Sequence, residues 1–152
     1  MNLVIMKWNN AWENDATLSS LIQLRRAVFV TEQHCPIEDE PDANDPDAFH
    51  VCAVENGVVV GCARILKPDP AVVKVGRVAV ARDVRKTGVG LAVMRMAILY
   101  IRSLGYNKIY LESQTHAIPF YERLGFVAYG PEFDDCNIPH RKMTLELCRN
   151  EH

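Results

Sequence analysis

At 152 residues, 49% apolar and 24% charged, the chain has the size and make-up of one globular domain, which excludes a disordered segment and a two-domain protein. Seventeen Lys plus Arg against nineteen Asp plus Glu give a net charge of −2, which excludes a globally basic nucleic-acid binder. No uncharged run is long enough to span a bilayer, and the opening MNLVIMKWNN carries Lys7 and no long apolar core, so neither a membrane span nor a secretory signal is expected. The expectation is a soluble, cytoplasmic domain.

The elements follow in chain order. A strand is predicted at Leu3 to Lys7, then a helix from about Thr17 to Val30 with Asp15 or Thr17 as its cap. Leu18, Leu21, Ile22, Val28 and Phe29 make that helix's apolar face, with Arg25 as the one misfit. Residues 31 to 47 read as an acidic loop. AFHVCAVE and VVVGCARIL then flank Asn56-Gly57, the strongest short-range hairpin signal. VVKVGRVAVA at 72–81 is a strand rich in β-branched residues, followed through a basic turn by a helix from about Gly88 to Leu104 that Gly105 ends. That helix is apolar nearly all round, interrupted mainly by Arg95 and Arg102, and so should lie against a sheet. NKIYLES (107–113) is a strand, Ala117 to Leu124 a short helix, and His140 to Cys148 an alternating last strand. This order implies an α/β or α+β mixed sheet in which 72–113 forms a parallel strand–helix–strand crossover.

The five cysteines, Cys35, Cys52, Cys62, Cys136 and Cys148, are odd in number and form no CxxC pair. That pattern fits neither a zinc site nor a disulfide scaffold; five reduced, mostly buried thiols and no metal are the expectation.

The segment Val80-Ala81-Arg82-Asp83-Val84-Arg85-Lys86-Thr87-Gly88-Val89-Gly90 joins a strand to a buried helix and puts two glycines where the helix starts. A helix N-terminus presents unbonded N–H groups and the positive end of its dipole, so it attracts anions. Arg85 and Lys86 add positive charge beside it. A Walker loop is excluded because Leu91-Ala92 follows the last glycine, and a dinucleotide fingerprint because Val93 occupies its third small position. A plain tight turn with a solvated basic face is the alternative.

Arg85-Lys86-Thr87-Gly88-Val89-Gly90 resembles the R-x-x-G-x-G acyl-CoA signature of the GNAT superfamily of N-acyltransferases. Further on, Gln114 to Phe126 resembles that superfamily's second signature, N-x-x-A-x-x-[LF]-Y-x-x-x-G-F, with Gln114 in place of the usual Asn. Arg26 to Gln33, Glu40-Pro41-Asp42, Asp45 and Ile138-Pro139-His140 are similar to the ElaA/YjcF-type branch, and the Arg-to-Phe helix with its acidic sequel distantly to acyl-homoserine-lactone synthases. The resemblance implies a single N-acetyltransferase domain over residues 1–152. Its fold would be a mixed, mostly antiparallel sheet with a central strand–helix–strand acyl-CoA-binding unit and helices on both faces.

The resemblance also implies transfer of an acetyl group from acetyl-CoA to an amine, on a small molecule or a protein, in a family that often forms dimers. By the same likeness, the amides of Arg85, Lys86, Thr87, Gly88, Val89 and Gly90 would hold the pyrophosphate. Backbone groups of Val78 and Val80 and the side chain of Gln114 would meet the pantetheine. Tyr121 would protonate the departing thiolate. For the base that deprotonates the amine, Glu112 shares strand parity with Gln114, and His140 has a suitable ordinary pKa; His116, His50 and Glu32 are further candidates. Glu38, Asp39, Glu40, Asp42, Asp45 and Asp47 could form a negative rim for a cationic substrate, or a solvated loop. Trp8, Trp12 and Phe29 read as core residues before pocket residues. A non-catalytic acyl-CoA-binding sensor is the rival function.

Overall fold

A computed structural model of the chain describes residues 1–147, so Cys148, at the end of the expected last strand, lies outside the described residues. Strand β1 (Asn2–Lys7) leads through a short turn to helix α1 (Ala16–Arg25), which continues as a π-helical stretch over Arg26–Glu32. The Asp15 side chain caps α1 by accepting from the backbone N–H groups of Thr17 and Leu18, at 3.0 and 2.9 Å. Strands β2 (Phe49–Glu55) and β3 (Val58–Asp69) form the expected hairpin, with Asn56 and Gly57 at φ 52° and 78°.

Strand β4 (Val72–Val80) is followed by α2 (Val89–Ser103), β5 (Lys108–Gln114) and the short α3 (Ile118–Glu122). Strands β6 (Val127–Asp135) and β7 (Ile138–Glu146) close the described chain as a hairpin. The sheet order is β1-β2-β3-β4-β5-β7-β6, and every neighbouring pair is antiparallel except β4 with β5. Strand β6 had no boundary in the sequence pattern. It is an edge strand with most of its residues exposed, so little alternation was imposed on it.

Two apolar cores lie on opposite sides of the sheet. Val93, Met94, Ala97 and Ile101 of α2 pack on Val73, Val75, Ile109 and Leu111, while Leu18, Leu21 and Leu24 of α1 pack on Cys52, Cys62 and Ala79. Each fully buried Leu, Ile or Met side chain contributes roughly 1.5–3 kcal/mol. The face of α2 that carries Arg95, Leu99 and Arg102 is exposed, so the nearly uniform apolarity of this helix did not translate into burial all round.

The expected uniform strand at 72–81 contains a β-bulge. Cys62 pairs with Ala79 and Arg64 with Gly76, so Arg77 and Val78 together oppose Ala63, and Arg77 has φ 49°. The extra residue reverses the alternation. Val73 and Val75 face α2, whereas Ala79 faces α1 and Val78 and Val80 take the α2 side. Among the described residues no helix is long and apolar enough to cross a membrane.

Candidate active site

The parallel ladder between β4 and β5 consists of three pairs, Val73–Ile109, Lys74–Tyr110 and Val75–Leu111. Beyond them the two strands have no paired residues, because β4 bulges at Arg77 while β5 runs on beside β7. A cavity of about 1140 Å³ opens at this gap. Its walls include Val78 and Val80 from β4, Arg85, Lys86, Gly88 and Gly90 from the turn and start of α2, Glu112 and Gln114 from β5, Tyr121 from α3, and His140 from β7. Five elements of the fold are thus brought to one space.

The start of α2 has the geometry of an anion cradle. Gly88 is the cap residue at φ 94°, a conformation that disfavours any side chain, and a Cβ there would enter open space. Gly90 serves a different need: a Cβ on it would lie 3.3 Å from Val80 Cγ2 and 3.5 Å from Phe120 Cζ. The first amides of α2 have no carbonyl partner within the helix, the ordinary state of a helix start. Thr87 donates its hydroxyl to the carbonyl of Val84, which closes the preceding turn.

Arg85 departs from its expected place. Its Nε donates to the Val80 carbonyl at 3.1 Å and its Nη2 to Glu32 at 2.7 Å, so its guanidinium is turned towards the end of the π-helical stretch. The Arg85 hydrogen bond holds the Glu32 carboxyl below its ordinary range. Lys86, at φ 65°, remains exposed beside the cradle.

Tyr121 is 8% exposed, wedged between Phe120 and Phe126 with ring centroids 5.0 and 5.9 Å away. Burial pushes its hydroxyl pKa upward, so it stays a proton donor at neutral pH. Glu112 pairs with Lys74 across the gap at 2.7 Å. His140 is buried, stacks on Phe133 and donates from Nδ1 to the Ile138 carbonyl at 2.7 Å, which leaves Nε2 as the lone-pair nitrogen of the neutral ring. His140 lies directly opposite Gln114 in the β5–β7 ladder.

The Gln114 amide is engaged at both ends. Its Nε2 donates to Gln33 Oε1 at 3.0 Å, and its Oε1 accepts from His116 Nε2 at 2.6 Å. Gln33 sits at the end of the π-helical stretch, and nothing in the local pattern signalled that it would reach β5. Lys74, Arg77, Gln33 and Cys35 are cavity residues that sequence reasoning missed.

Two expectations are corrected, those for His50 and for the thiols. Of the six carboxylates at 38–47, Glu40 and Asp45 are buried against Arg25 and Asp42 pairs with Arg64 and Arg77, while Glu38, Asp39 and Asp47 are exposed and Asp39 borders the cavity. Arg25, the misfit of α1, is the centre of this network, and Arg77 joins it through Glu40 at 2.5 Å. His50 is buried away from the cavity, bonded through Nε2 to the Asp45 carbonyl at 3.1 Å, and cannot serve as base. Cys35 and Cys136 are joined in a disulfide with Cα atoms 5.5 Å apart, so the cysteines are not all reduced thiols. Cys52 and Cys62 are free and buried, as expected. Trp8 and Trp12 pack against the α1 core, whereas Phe29 both packs there and lines the cavity.

A parallel strand–helix–strand unit whose strands part beside a glycine-started helix is the frame of an acyl-CoA-dependent acyltransferase. The acetyltransferase (GNAT) family pattern matches residues 16–126, and the chain belongs to that family. Protein ElaA of Escherichia coli is 33% identical over 150 residues, covering 94% of this chain and 98% of its own. The crystal structure of Escherichia coli ElaA superposes with a TM-score of 0.84 over 96% of this chain and 100% of that one, at 32% identity. An acyl-CoA N-acyltransferase from Pseudomonas aeruginosa matches with a TM-score of 0.83 at 31% identity, over 95% of this chain and 99% of that one. The uncharacterized N-acetyltransferase YjcF of Bacillus subtilis is 32% identical over 135 residues, 88% of this chain and 96% of its own.

Proposed function

We propose that the protein is an N-acetyltransferase that moves an acetyl group from acetyl-CoA to a primary amine by direct attack on the thioester. The observation that carries this reading is the convergence, on one cavity, of the β4–β5 gap, the glycine-started α2 and the buried Tyr121. The cradle fits an anionic cofactor: the first-turn amides of α2 have no carbonyl partner within the helix, Gly88 leaves its front open, and Lys86 adds charge. The thioester supplies an already activated acyl group, so the protein's task is alignment and proton transfer.

In this reading the amides from Arg85 to Gly90 hold the pyrophosphate, and backbone groups of Val78 and Val80 meet the pantetheine. The Val80 carbonyl is taken by Arg85 in this structure, so that contact requires Arg85 to release it. Tyr121 donates its proton to the departing thiolate. His140 takes the amine's proton at Nε2, because its Nδ1–H is fixed on the Ile138 carbonyl. Glu112 is tied to Lys74 and acts on the amine through its charge. A small-molecule or protein amine remains the acceptor class, and a homodimer is an assembly that the family likeness suggests.

The test is turnover of acetyl-CoA against a broad panel of amines, read by mass spectrometry of acetylated products. One acetylated amine class with saturable acetyl-CoA dependence supports the reading. Tight acetyl-CoA binding without product would favour a non-catalytic sensor, a reading that draws on the engagement of Glu112 with Lys74. No binding at all would overturn both.

A further inference from the structure

The segment 32–35 crosses one side of the cavity and is tied down at three points that lie far apart in the chain. Glu32 bonds Arg85 at the start of the cradle, Gln33 bonds Gln114 on β5, and Cys35 is joined to Cys136. Cys136 stands at the turn of the β6–β7 hairpin, where it and Asn137 have φ 50° and 59°. Both cysteines line the cavity and both are half-buried, within reach of a small reagent. The first tie is an exposed ion pair, screened by water, and the second is a single hydrogen bond between two amides. The covalent tie is therefore the strongest restraint on this strap.

We propose that Cys35 and Cys136 form a reversible thiol–disulfide site, responsive to low-molecular-weight thiols, that sets how readily the strap lifts from the cavity. Its effect on acyl transfer rests on the acyltransferase reading; its redox chemistry does not. In reduction, the thiolate of an external dithiol attacks one sulfur of the bridge, and the S–S bond breaks with the other cysteine leaving as thiolate. The reagent's second thiolate then attacks the reagent sulfur held in the mixed disulfide, and the first cysteine leaves as thiolate. Two electrons pass to the protein, two protons complete the cysteine thiols, and the reagent ends as its own disulfide. A low-molecular-weight disulfide such as oxidised glutathione runs the exchange in reverse. Cys52 and Cys62 do not compete, because they are buried in the α1 core and burial pushes their thiols up to about 12.

The test uses the full chain, equilibrated either with dithiothreitol or with oxidised glutathione, then alkylated and mapped by peptide mass spectrometry. The expected result is a linked Cys35–Cys136 peptide in the oxidised sample alone. Backbone amide exchange over 32–35 is expected to be slower in that sample by about tenfold. The amine KM should differ between the two states by about threefold or more, a small fraction of what a cross-link can contribute. In the Cys35→Ser and Cys136→Ser variants the two treatments should give the same exchange and the same KM. Absence of the linked peptide, or a linked peptide with unchanged exchange, would overturn the proposal. A linked and protected strap with unchanged amine KM would overturn its control of access. No acyl transfer in either state, with linkage and protection intact, would count against the proposed function and leave the thiol site standing.

Discussion

Arg25 and Asp45 meet through two parallel hydrogen bonds, Nη1 to Oδ1 at 2.8 Å and Nη2 to Oδ2 at 3.0 Å, with Arg25 1% and Asp45 0% exposed. Glu40 accepts from Arg25 Nε at 2.6 Å, and Arg64 reaches Asp45 from β3 at 3.1 Å. One cation at the end of α1 thereby organises the acidic loop and, through Glu40, the Arg77 bulge that borders the cavity. Arg25→Leu leaves Glu40 and Asp45 buried with their principal partner gone and is expected to destabilise the fold by about 3–5 kcal/mol. Urea unfolding measures this; a loss below about 1 kcal/mol would show that the network is not structural.

The same pair makes stability depend on pH. Burial alone would raise the Asp45 pKa, but the Arg25 hydrogen bonds and charge hold it down at about 2. A folded-state pKa below the unfolded value of about 3.9 stabilises the fold at neutral pH, by about 2 kcal/mol here, and that contribution fades as pH falls from about 5 to 2. His50 acts in the same direction. Burial lowers its pKa, so below about 6.5 the unfolded state takes up the proton first. The urea midpoint should therefore fall steadily from pH 7 to pH 3; a flat profile over that range would contradict both assignments.

Tyr121→Phe keeps the aromatic packing against Phe120 and Phe126 and removes the proposed proton donor. It should lower kcat by about 10²–10⁴-fold while acetyl-CoA affinity changes little. Steady-state kinetics together with titration calorimetry separates the two quantities. Full activity would move the acid role to another group.

At the cradle, Gly88→Asp adds backbone strain at φ 94° and a negative charge beside the proposed pyrophosphate site. Acetyl-CoA affinity should drop by about tenfold or more. Gly90→Ala tests packing in place of charge, since its Cβ would come 3.3 Å from Val80 Cγ2, a contact relieved by a few tenths of an ångström of movement, and would meet Phe120 at ordinary contact distance. Thermal melting of that variant should show a change of less than about 1 kcal/mol, the helix preference of Ala offsetting the tight contact. Unchanged affinity in Gly88→Asp would place the anion elsewhere.

His140→Gln removes the lone pair at Nε2 while keeping an amide of similar reach. The expected outcome is a loss of about 10²-fold or more in kcat/KM at neutral pH, with less loss at higher pH, where more of the amine is already unprotonated. A parallel pH profile at full activity would remove His140 from the mechanism.

Most of the fold was legible in residue order because its signals act over a few positions. Asn56-Gly57 takes the positive φ pair that a tight hairpin requires, Asp15 caps α1, and Met143 and Leu145 alternate with Lys142, Thr144 and Glu146 along β7. The candidate site was legible in part for the same reason. Arg85 to Gly90 and Gln114 to Phe126 are contiguous motifs at strand-to-helix junctions, and Glu112 and Gln114 share parity on one strand, so both reach the cavity. The Arg77 bulge escaped because VVKVGRVAVA reads as an unbroken strand; the extra residue is defined only against its partner strand, β3.

By itself, then, the sequence determined the order of strands and helices apart from β6, because short-range periodicity and turn chemistry specify them, and its two contiguous motifs at the starts of α2 and α3 carried the family resemblance. Tertiary structure alone decided what the charges and thiols do. Arg25 finds Asp45 at a separation of 20 residues, Gln33 finds Gln114 at 81, and Cys35 finds Cys136 at 101. No local propensity encodes such pairings. They follow from which elements pack together, and from the need of each polar group removed from water to find a partner there.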